Sequence, residues 1–274
     1  MDVITVQGMH MPVLGLGTWR MKGPDCAVAV ERALSLGYRH IDTAEMYGNE
    51  DAVGDALART EVKRADIHLT TKAWWDHLTP GLLSVALEGS LARLRTDYVD
   101  LYLVHWPAPG MDMTATMEAL TRLRESGKAR AIGVANFTSA LLHQAVATGA
   151  QLACNQVEYH VLLSQDVLLA AMRKLDIPLV AYAPLAQGRL ADYAALRAIA
   201  AKHGARPAQV ALKWLLDQPG VAAIPKASRP ETQLANLEAL QLHLDDADRA
   251  AIAALPKGER FVQPGFAPAW DMAA

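Results

Sequence analysis

The stretch Tyr98-Val99-Asp100-Leu101-Tyr102-Leu103-Val104-His105-Trp106-Pro107 shows how this chain is built. Its first seven residues are mostly apolar and β-forming, which is typical of a strand covered on both faces. Pro107 has no amide hydrogen and cannot extend a strand ladder, so we expect His105 at the carboxyl end of this strand. A lone histidine there is more often structural than catalytic. The interpretation of His105 therefore depends on how the neighbouring strands end.

Two earlier strands also end in polar residues. The segment 37–41 leads to Asp42, with Tyr47 five residues further on, and the segment 66–71 leads to Lys72. Three successive strand and helix units thus end in an acid, an amine and an imidazole. The carboxyl ends of parallel strands share one face of a sheet or barrel, where such folds build active sites. We therefore expect these side chains to converge with His105.

The order of predicted elements favours a closed barrel. Strands are predicted near residues 13, 40, 67, 99, 129, 152, 178 and 221, and helical sequence follows each of them. A hairpin is predicted over 3–12, and the interval 192–217 has room for two helices. This pattern is typical of a (β/α)8 barrel rather than an open Rossmann sheet. We predict an α/β fold, a TIM barrel with an N-terminal β-hairpin and extra helices, as one domain over residues 1–274.

Composition and charge argue against several classes of function. Of the 274 residues, 52% are hydrophobic, and the formal net charge is -3 with both signs interspersed, so no nucleic-acid-binding face is indicated. The chain has neither a basic N-terminal region before a long apolar run nor 18 uninterrupted apolar residues. Cys26 and Cys154 lie outside any CxxC spacing, and no HxH or HExxH metal motif occurs. We expect a cytoplasmic, monomeric protein that binds a small molecule and neither metal nor membrane.

The converging residues suit the reduction of a carbonyl group. A carbonyl that accepts a hydride must also receive a proton on its oxygen, and the Tyr47 hydroxyl is the candidate donor. A nearby Lys72 ammonium should lower the tyrosine pKa, with Asp42 as its counter-ion. A neutral His105 would orient the carbonyl. Taken singly, the acid could cap a helix, the amine could lie on the surface and the tyrosine could be a loop aromatic. The coincidence at three strand ends favours a shared site.

Seven short motifs resemble those of the aldo-keto reductase family, occur in that family's order and cover nearly the whole chain. They are Gly15-Leu16-Gly17-Thr18-Trp19, Asp42-Thr43-Ala44 with Tyr47-Gly48-Asn49-Glu50, Thr71-Lys72-Ala73-Trp74, Val104-His105-Trp106-Pro107, Gly133-Val134-Ala135-Asn136-Phe137, Asn155-Gln156-Val157-Glu158 and Ile224-Pro225-Lys226. The resemblance implies a barrel that binds a nicotinamide cofactor without a Rossmann fold. It also implies a catalytic tetrad of Asp42, Tyr47, Lys72 and His105, with Tyr47 as the general acid.

The same resemblance implies the contacts to the nicotinamide end of the cofactor. Asn136 and Gln156 would hold the carboxamide, and Tyr182 would stack against the ring. The segment 183–188, which includes Leu185, would cover the pyrophosphate with backbone amides. The resemblance places four further residues in contact with the cofactor: Thr18, Trp19, Asp42 and Asn236.

Coenzyme preference follows from a short basic segment. Lys226, Ser228 and Arg229 fall where the family binds the adenosine 2′-phosphate, which favours NADPH over NADH because two cations can match the added charge. Alternatively, this segment is only a solvated basic turn. Four residues depart from the family's pattern of cofactor contacts: Ala135, Ala227, Thr232 and Ala235. We expect weaker NADPH binding than in a member with the full set.

The expected substrate pocket is apolar and aromatic. Its predicted lining residues are Trp19, Met46, Tyr47, Trp74, His105 and Trp106. Trp270 or Phe266 should fold over this opening from the tail. The tail resembles that of short bacterial members, the B-type 2,5-diketo-gluconate reductases, which also reduce methylglyoxal and other small aldehydes. Small aldehydes, α-dicarbonyls such as methylglyoxal, and 2,5-diketo-gluconate are therefore the expected substrates.

Two other functions stay open at this point. Lys72 lies at a barrel strand end, where an amine could form a Schiff base in a lyase, although pairing with Asp42 would make it a poor nucleophile. A non-catalytic regulatory protein that binds a nicotinamide cofactor is the second alternative. The complete tetrad disfavours it.

Overall fold

The computed structural model describes residues 2–271. Within them the strands are β1 (Val3–Val6), β2 (Met9–Pro12), β3 (Leu16–Gly17), β4 (His40–Asp42), β5 (His68–Ala73), β6 (Val99–Val104), β7 (Ala129–Ala135), β8 (Asn155–Glu158), β9 (Leu179–Tyr182) and β10 (Val221–Ala223). The helices are α1 (Gly23–Ser35), α2 (Glu50–Arg59), α3 (Pro80–Leu94), α4 (Met113–Glu125), α5 (Ser139–Ala147), α6 (Asp166–Lys174), α7 (Ala194–Lys202), α8 (Pro207–Leu216), α9 (Pro230–Glu238) and α10 (Asp246–Ala253).

Strands β3 to β10 form one parallel sheet that closes into a barrel. Neighbours in the sheet follow the order of the chain from β3 to β10. The first and last strands then meet, because Gly15 N donates to Ala223 O at 2.9 Å and Gly17 N donates to Pro225 O at 3.2 Å. All eight carboxyl ends consequently lie on one rim, and the predicted TIM barrel is confirmed.

The hairpin β1–β2 covers the amino ends of the barrel strands. Its strands are antiparallel, with Val3 opposite Pro12. Met9 and Met11 pack in one buried cluster with Leu101 of β6, inside the barrel. The predicted N-terminal hairpin is confirmed, and it leaves the carboxyl rim free to form a site.

The helices pack around the outside of the sheet through apolar faces. In α1, Cys26, Val30 and Ala33 are buried at helical spacing, and Pro24 occupies the first turn. These residues belong to the large cluster between helices and sheet. The helix stops before Gly37, whose φ of 104° favours glycine. A helix after a strand returns the chain to the amino end of the barrel, so the next strand again runs toward the carboxyl rim.

The predicted elements are present, with shifts at some ends. The interval 192–217 contains α7 and α8, as expected. Strand β8 begins at Asn155 rather than near 152, although Ala153 N already donates to Ile132 O of β7 at 2.7 Å. Among residues 2–271, the structure has no helix long and apolar enough to cross a membrane.

Barrel closure can be tested at Gly17, where an added Cβ would lie 2.6 Å from the carbonyl oxygen of Ile224. A backbone atom cannot rotate aside, so we expect Gly17→Ala to push β3 from β10 and lower the free energy of unfolding by about 1–3 kcal/mol. Urea denaturation followed by circular dichroism measures the change. As control, Gly81→Ala in α3 meets nothing within 4 Å and should be neutral or stabilising. Unchanged stability of Gly17→Ala would contradict the tight closure.

Candidate active site

Three neighbouring strands bring the predicted residues together. Asp42 is the last residue of β4, Lys72 is the penultimate residue of β5, and His105 directly follows β6. Parallel pairing places Lys72 beside Leu103, near the end of β6. Tyr47 lies in a short 3-10 turn, Glu45–Tyr47, that follows β4. The expected convergence at the carboxyl rim is therefore present.

A buried ion pair forms the floor of the site. Lys72 is fully buried, and its Nζ donates to Asp42 Oδ1 at 2.5 Å and to Thr43 O at 2.8 Å. The other carboxylate oxygen of Asp42 accepts from Gln156 Nε2 at 2.7 Å. Burial lowers the pKa of the Lys72 ammonium, and Asp42 offsets part of this shift. The carboxylate is thus the partner that keeps a charge on the buried amine.

Tyr47 reaches this pair with its hydroxyl. Lys72 Nζ lies 3.4 Å from Tyr47 Oη, within hydrogen-bond range. Burial raises the pKa of the Tyr47 hydroxyl well above its usual value, and the charge of Asp42 raises it further. The pKa of Tyr47 is therefore raised rather than lowered as expected from Lys72, because desolvation and the nearby carboxylate both favour the neutral phenol. The phenol keeps its proton at neutral pH.

His105 is a neutral imidazole beside this hydroxyl. Burial lowers its pKa well below the usual value, and the Lys72 charge lowers it further. Its ring centroid lies 5.6 Å from that of Tyr47 and 5.0 Å from that of Trp74. Its Nδ1 is buried and has no hydrogen-bond partner among residues 2–271. A neutral imidazole carries one N–H, and a proton on Nε2 would leave the buried Nδ1 as the acceptor.

Asn49 holds the turn that carries Tyr47, and sequence reasoning gave it no role. Its fully buried amide donates from Nδ2 to Thr18 O at 2.9 Å and to Met21 O at 3.0 Å. Its Oδ1 accepts from Thr43 Oγ1 at 2.9 Å. Both amide N–H groups and the carbonyl oxygen of this side chain are thus used to join the loops after β3 and β4. The Asn49-Glu50 dipeptide directly after Tyr47-Gly48 was the sequence feature that could have indicated this structural role.

A cavity of about 720 Å³ opens above these residues at the carboxyl rim. Its wall contains eight of the predicted cofactor contacts: Thr18, Trp19, Asp42, Asn136, Gln156, Tyr182, Leu185 and Lys226. It also contains five of the predicted substrate contacts: Trp19, Met46, Tyr47, His105 and Trp106. The cavity is therefore shared by the predicted cofactor and substrate residues.

Four predicted contacts lie off this wall. Trp74 is one of them, and it lies behind His105 in ring contact with it. Ser228 accepts a hydrogen bond from Lys226 Nζ at 3.1 Å, whereas Arg229 is largely exposed, with Nε 3.6 Å from a carboxylate oxygen of Glu231. Asn236 is buried, and its Nδ2 finds no acceptor in the described part of the chain. Within the basic segment, Arg229 is therefore the residue that lies near a carboxylate, that of Glu231, and it does not line the cavity.

The predicted carboxamide ligands form a connected network. Asn136, at a left-handed φ of 62°, donates from Nδ2 to His105 O at 2.9 Å. Its Oδ1 accepts from Tyr182 Oη at 2.8 Å. Gln156 uses Nε2 for Asp42, and within residues 2–271 its Oε1 makes no hydrogen bond. An amide ligand would therefore find one free acceptor at Gln156.

Several wall residues were missed from the sequence. Arg20, Arg206 and Val262 line the cavity, as do Leu190 and Ala191, which follow the predicted segment 183–188. Arg206 precedes the first turn of α8, next to Pro207. Nothing in the local sequence relates the start of this helix to the site, because about a hundred residues separate Arg206 from His105. These contacts depend on the closed barrel.

The tail contacts two of the residues predicted for the substrate pocket. Phe266 packs against Trp74 at a centroid distance of 5.9 Å and against Trp106 at 5.6 Å. Trp270 contacts Trp106 at 6.0 Å. Trp106 lines the cavity, whereas Phe266 and Trp270 pack beside Trp106 and do not line it.

The position of Lys72 bears on the Schiff-base alternative. Its amine points to Asp42, Thr43 and Tyr47, and it is absent from the wall of the cavity. A carbonyl in the cavity meets the Tyr47 and His105 side chains before it meets this amine. The geometry thus favours proton transfer over nucleophilic attack by Lys72.

The buried pair makes a specific prediction about stability. Lys72→Met would leave the Asp42 carboxylate buried without a cation, and we expect the free energy of unfolding to fall by about 3–5 kcal/mol. Adding Asp42→Asn should recover part of this loss, because the double variant buries no charge. Urea denaturation of the wild type, Lys72→Met, Asp42→Asn and the double variant gives the coupling energy of the pair. As control, Lys128→Met breaks an exposed ion pair with Glu88 and should cost less than about 1 kcal/mol. Equal losses for Lys72→Met and the double variant would contradict the charge argument.

Sequence comparison places these motifs in a known family. The family model described as "Aldo/keto reductase family" matches residues 13–257. The chain is 42% identical over 268 residues to methylglyoxal reductase DkgB of Salmonella typhimurium, which spans 96% of this chain and 100% of that protein. It is 38% identical over 264 residues to methylglyoxal reductase DkgA of Escherichia coli K12, across 94% of each chain.

Structure comparison agrees with this assignment. The crystal structure of a protein assigned as a 2,5-diketo-D-gluconic acid reductase B superposes with a TM-score of 0.96 and 38% identity, covering 99% of this chain and 98% of that one. A thermostable aldo-keto reductase, Tm1743, in complex with the inhibitor epalrestat, gives a TM-score of 0.88 at 36% identity, across 93% and 99% of the two chains. This chain therefore belongs to the aldo/keto reductase family and is an oxidoreductase that acts on carbonyl compounds with a nicotinamide cofactor.

Proposed function

We propose that this protein is an NADPH-dependent reductase of small aldehydes and α-dicarbonyls, with Tyr47 as the proton donor. One observation carries the proposal. The Tyr47 hydroxyl lies 3.4 Å from the amine of the buried Lys72–Asp42 pair, and its ring lies beside the neutral imidazole of His105 at the cavity wall. This arrangement supplies a proton donor, a charge that stabilises its conjugate base and a second neutral donor in one place.

The residues present fit a nicotinamide cofactor. Gln156 has a free acceptor in the cavity wall, and Tyr182 presents its side chain to the same space. Asn136 and Gln156 would hold the carboxamide and Tyr182 would lie against the ring. When bound, the reduced nicotinamide supplies the hydride that forms the new C–H bond.

Proton transfer depends on the chain's own residues. The Tyr47 phenol is protonated at neutral pH and can donate its proton to the alkoxide that develops on the carbonyl oxygen. Lys72 Nζ, at 3.4 Å, would stabilise the phenolate that results. His105, neutral because its pKa is lowered, would donate from Nε2 to the carbonyl oxygen and orient it.

The substrate class follows from the aromatic wall and from the relatives. Trp19, Met46 and Trp106 line the opening with apolar surface, which suits small carbonyl compounds. Two relatives are methylglyoxal reductases, and a structural neighbour is assigned to 2,5-diketo-D-gluconic acid. Methylglyoxal is therefore the first substrate to test and 2,5-diketo-gluconate the second.

Preference for NADPH is proposed from Lys226. This residue lines the cavity, bonds to Ser228 and has no carboxylate partner in the described residues. An unpaired cation with a neighbouring hydroxyl suits the phosphate that distinguishes NADPH from NADH.

The proton-donor role predicts the behaviour of Tyr47→Phe. Removing the hydroxyl should lower kcat for methylglyoxal reduction by about 10²–10⁴-fold, because the alkoxide loses its positioned acid. The cofactor dissociation constant should change little. NADPH absorbance measures turnover, and tryptophan fluorescence measures binding. As control, Tyr102→Phe removes a hydroxyl outside the barrel, near Leu83, and should keep wild-type activity. Full activity of Tyr47→Phe would refute the proton donor, whereas an inactive wild type that binds cofactor would favour a regulatory protein.

The coenzyme preference predicts a selective effect of Lys226→Met. Loss of the cation should raise the dissociation constant for NADPH by about 10–100-fold and leave that for NADH nearly unchanged. Fluorescence titration with both nucleotides measures the two constants, with Lys63→Met as a lysine control outside the cavity. Equal weakening for both nucleotides would contradict a role in phosphate recognition. A submicromolar constant for NADPH in the wild type would contradict the weak binding expected from Ala227 and Thr232.

A further inference from the structure

The turn that carries Tyr47 is too short to hold its own position. Glu45–Tyr47 is a single 3-10 turn, and none of its three residues is fully buried. Its backbone makes two hydrogen bonds, from Tyr47 N to Ala44 O at 3.0 Å and from Gly48 N to Glu45 O at 3.1 Å. Fixing the backbone of one turn costs more conformational entropy than one or two hydrogen bonds return. Contacts with other segments must therefore hold the Tyr47 hydroxyl in the site.

The side chain of Glu45 makes such a contact. Its Oε1 accepts from Trp74 N and from His77 Nδ1, which lies at 3.0 Å. The Glu45 side chain is only 10% exposed. A hydrogen bond to an ionised and poorly solvated acceptor is stronger than one between neutral groups. The carboxylate therefore joins the turn after β4 to the loop after β5.

This contact lies close in sequence to both members of the Tyr47–Lys72 pair. Glu45 comes two residues before Tyr47, and Trp74 comes two residues after Lys72. The two side chains of the pair meet at 3.4 Å, from Lys72 Nζ to Tyr47 Oη. A shift of the turn relative to the end of β5 would change this distance directly. The Glu45 carboxylate thus joins the two backbone segments whose side chains must stay together.

The same contact bears on His105 through the indole of Trp74. The Trp74 ring lies 5.0 Å from the His105 ring at an interplanar angle of 78°. The Tyr47 ring lies 5.6 Å from the same imidazole. Because Glu45 holds the backbone of Trp74, it also fixes where this indole leaves the chain. One carboxylate is therefore linked to the placement of both neutral donors.

Glu45 acts from outside the cavity. The described residues that line the cavity include its neighbours Met46 and Tyr47 but not Glu45 itself. Its carboxylate is engaged by a backbone N–H and an imidazole. Sequence analysis gave it no role. Any effect of Glu45 on the reaction must therefore pass through the segments that it joins.

We propose that Glu45 is a positioning residue, whose carboxylate holds the Tyr47 turn against the end of β5 in the geometry that proton donation needs. This inference rests on the proposed function. Hydrogen bonds from Tyr47 and His105 strengthen as charge develops on the carbonyl oxygen, so their misplacement raises the barrier more than it weakens substrate binding. Loss of the contact should consequently appear in kcat.

Steady-state kinetics with methylglyoxal compare Glu45→Ala with Glu45→Gln. In Glu45→Ala we expect kcat to fall about 10–100-fold, with KM and the NADPH dissociation constant within about twofold of the wild type. Glu45→Gln keeps an oxygen that can accept from Trp74 N and should recover most of the loss. As control, Asp245→Ala removes a carboxylate that accepts from Asp248 N at 2.9 Å at the start of α10, and it should keep the wild-type kcat.

Hydrogen exchange measured by mass spectrometry tests the contact without turnover. Peptides covering 43–49 and 68–77 should exchange about tenfold faster in Glu45→Ala and unchanged in Asp245→Ala, because only the first variant frees the Trp74 N–H and the Tyr47 turn.

Four results would overturn the inference. Unchanged exchange in Glu45→Ala would refute the holding contact, and faster exchange with an unchanged kcat would refute its role in proton donation. A loss that appears only in KM would place Glu45 in substrate binding. Equal losses of kcat in Glu45→Gln and Glu45→Ala would refute the role of the hydrogen bond. A wild type that reduces no aldehyde would instead refute the proposed function, and the exchange comparison would still decide whether Glu45 holds the turn.

Discussion

The buried ion pair between Lys72 and Asp42 is the constraint around which the site is built. Two charges removed from water destabilise a fold unless each is fully partnered. Here Asp42 uses one oxygen for Lys72 and the other for Gln156, and the ammonium also bonds to Thr43 O. These partners come from β4, β5 and β8, so the requirement for charge compensation joins strands on opposite sides of the barrel. The geometry that satisfies the pair is the geometry that supports Tyr47.

Burial at the floor of the site also shifts the pKa values of Tyr47 and His105. Desolvation raises the pKa of Tyr47 and lowers that of His105, so both are neutral donors before any ligand arrives. The same burial makes Lys72 unavailable to the cavity as a nucleophile. A single physical condition therefore selects proton donation and disfavours covalent catalysis in this member of the aldo/keto reductase family.

A second carboxylate performs a comparable task at the rim. Glu158 is buried at the end of β8, and its carboxylate accepts from two backbone amides of the tail and lies 3.1 Å from His160 Nε2. The tail in turn brings Phe266 and Trp270 to the tryptophans that follow β5 and β6. The floor of the site is thus made by strand ends, and the tail segment that Glu158 holds adds Val262 to the cavity wall.

The sequence by itself determined the alternation of eight strands and helices, and it placed Asp42, Lys72 and His105 at strand ends, because periodicity and polar interruptions are local properties of the chain. The tertiary structure alone decided the sign of the Tyr47 pKa shift, since desolvation depends on everything packed around the hydroxyl. It alone brought Arg206 and Val262 to the cavity wall and Asp271 to Ser139. Those contacts join segments that are far apart in the chain and that barrel closure brings together. Short-range sequence patterns do not predict such contacts.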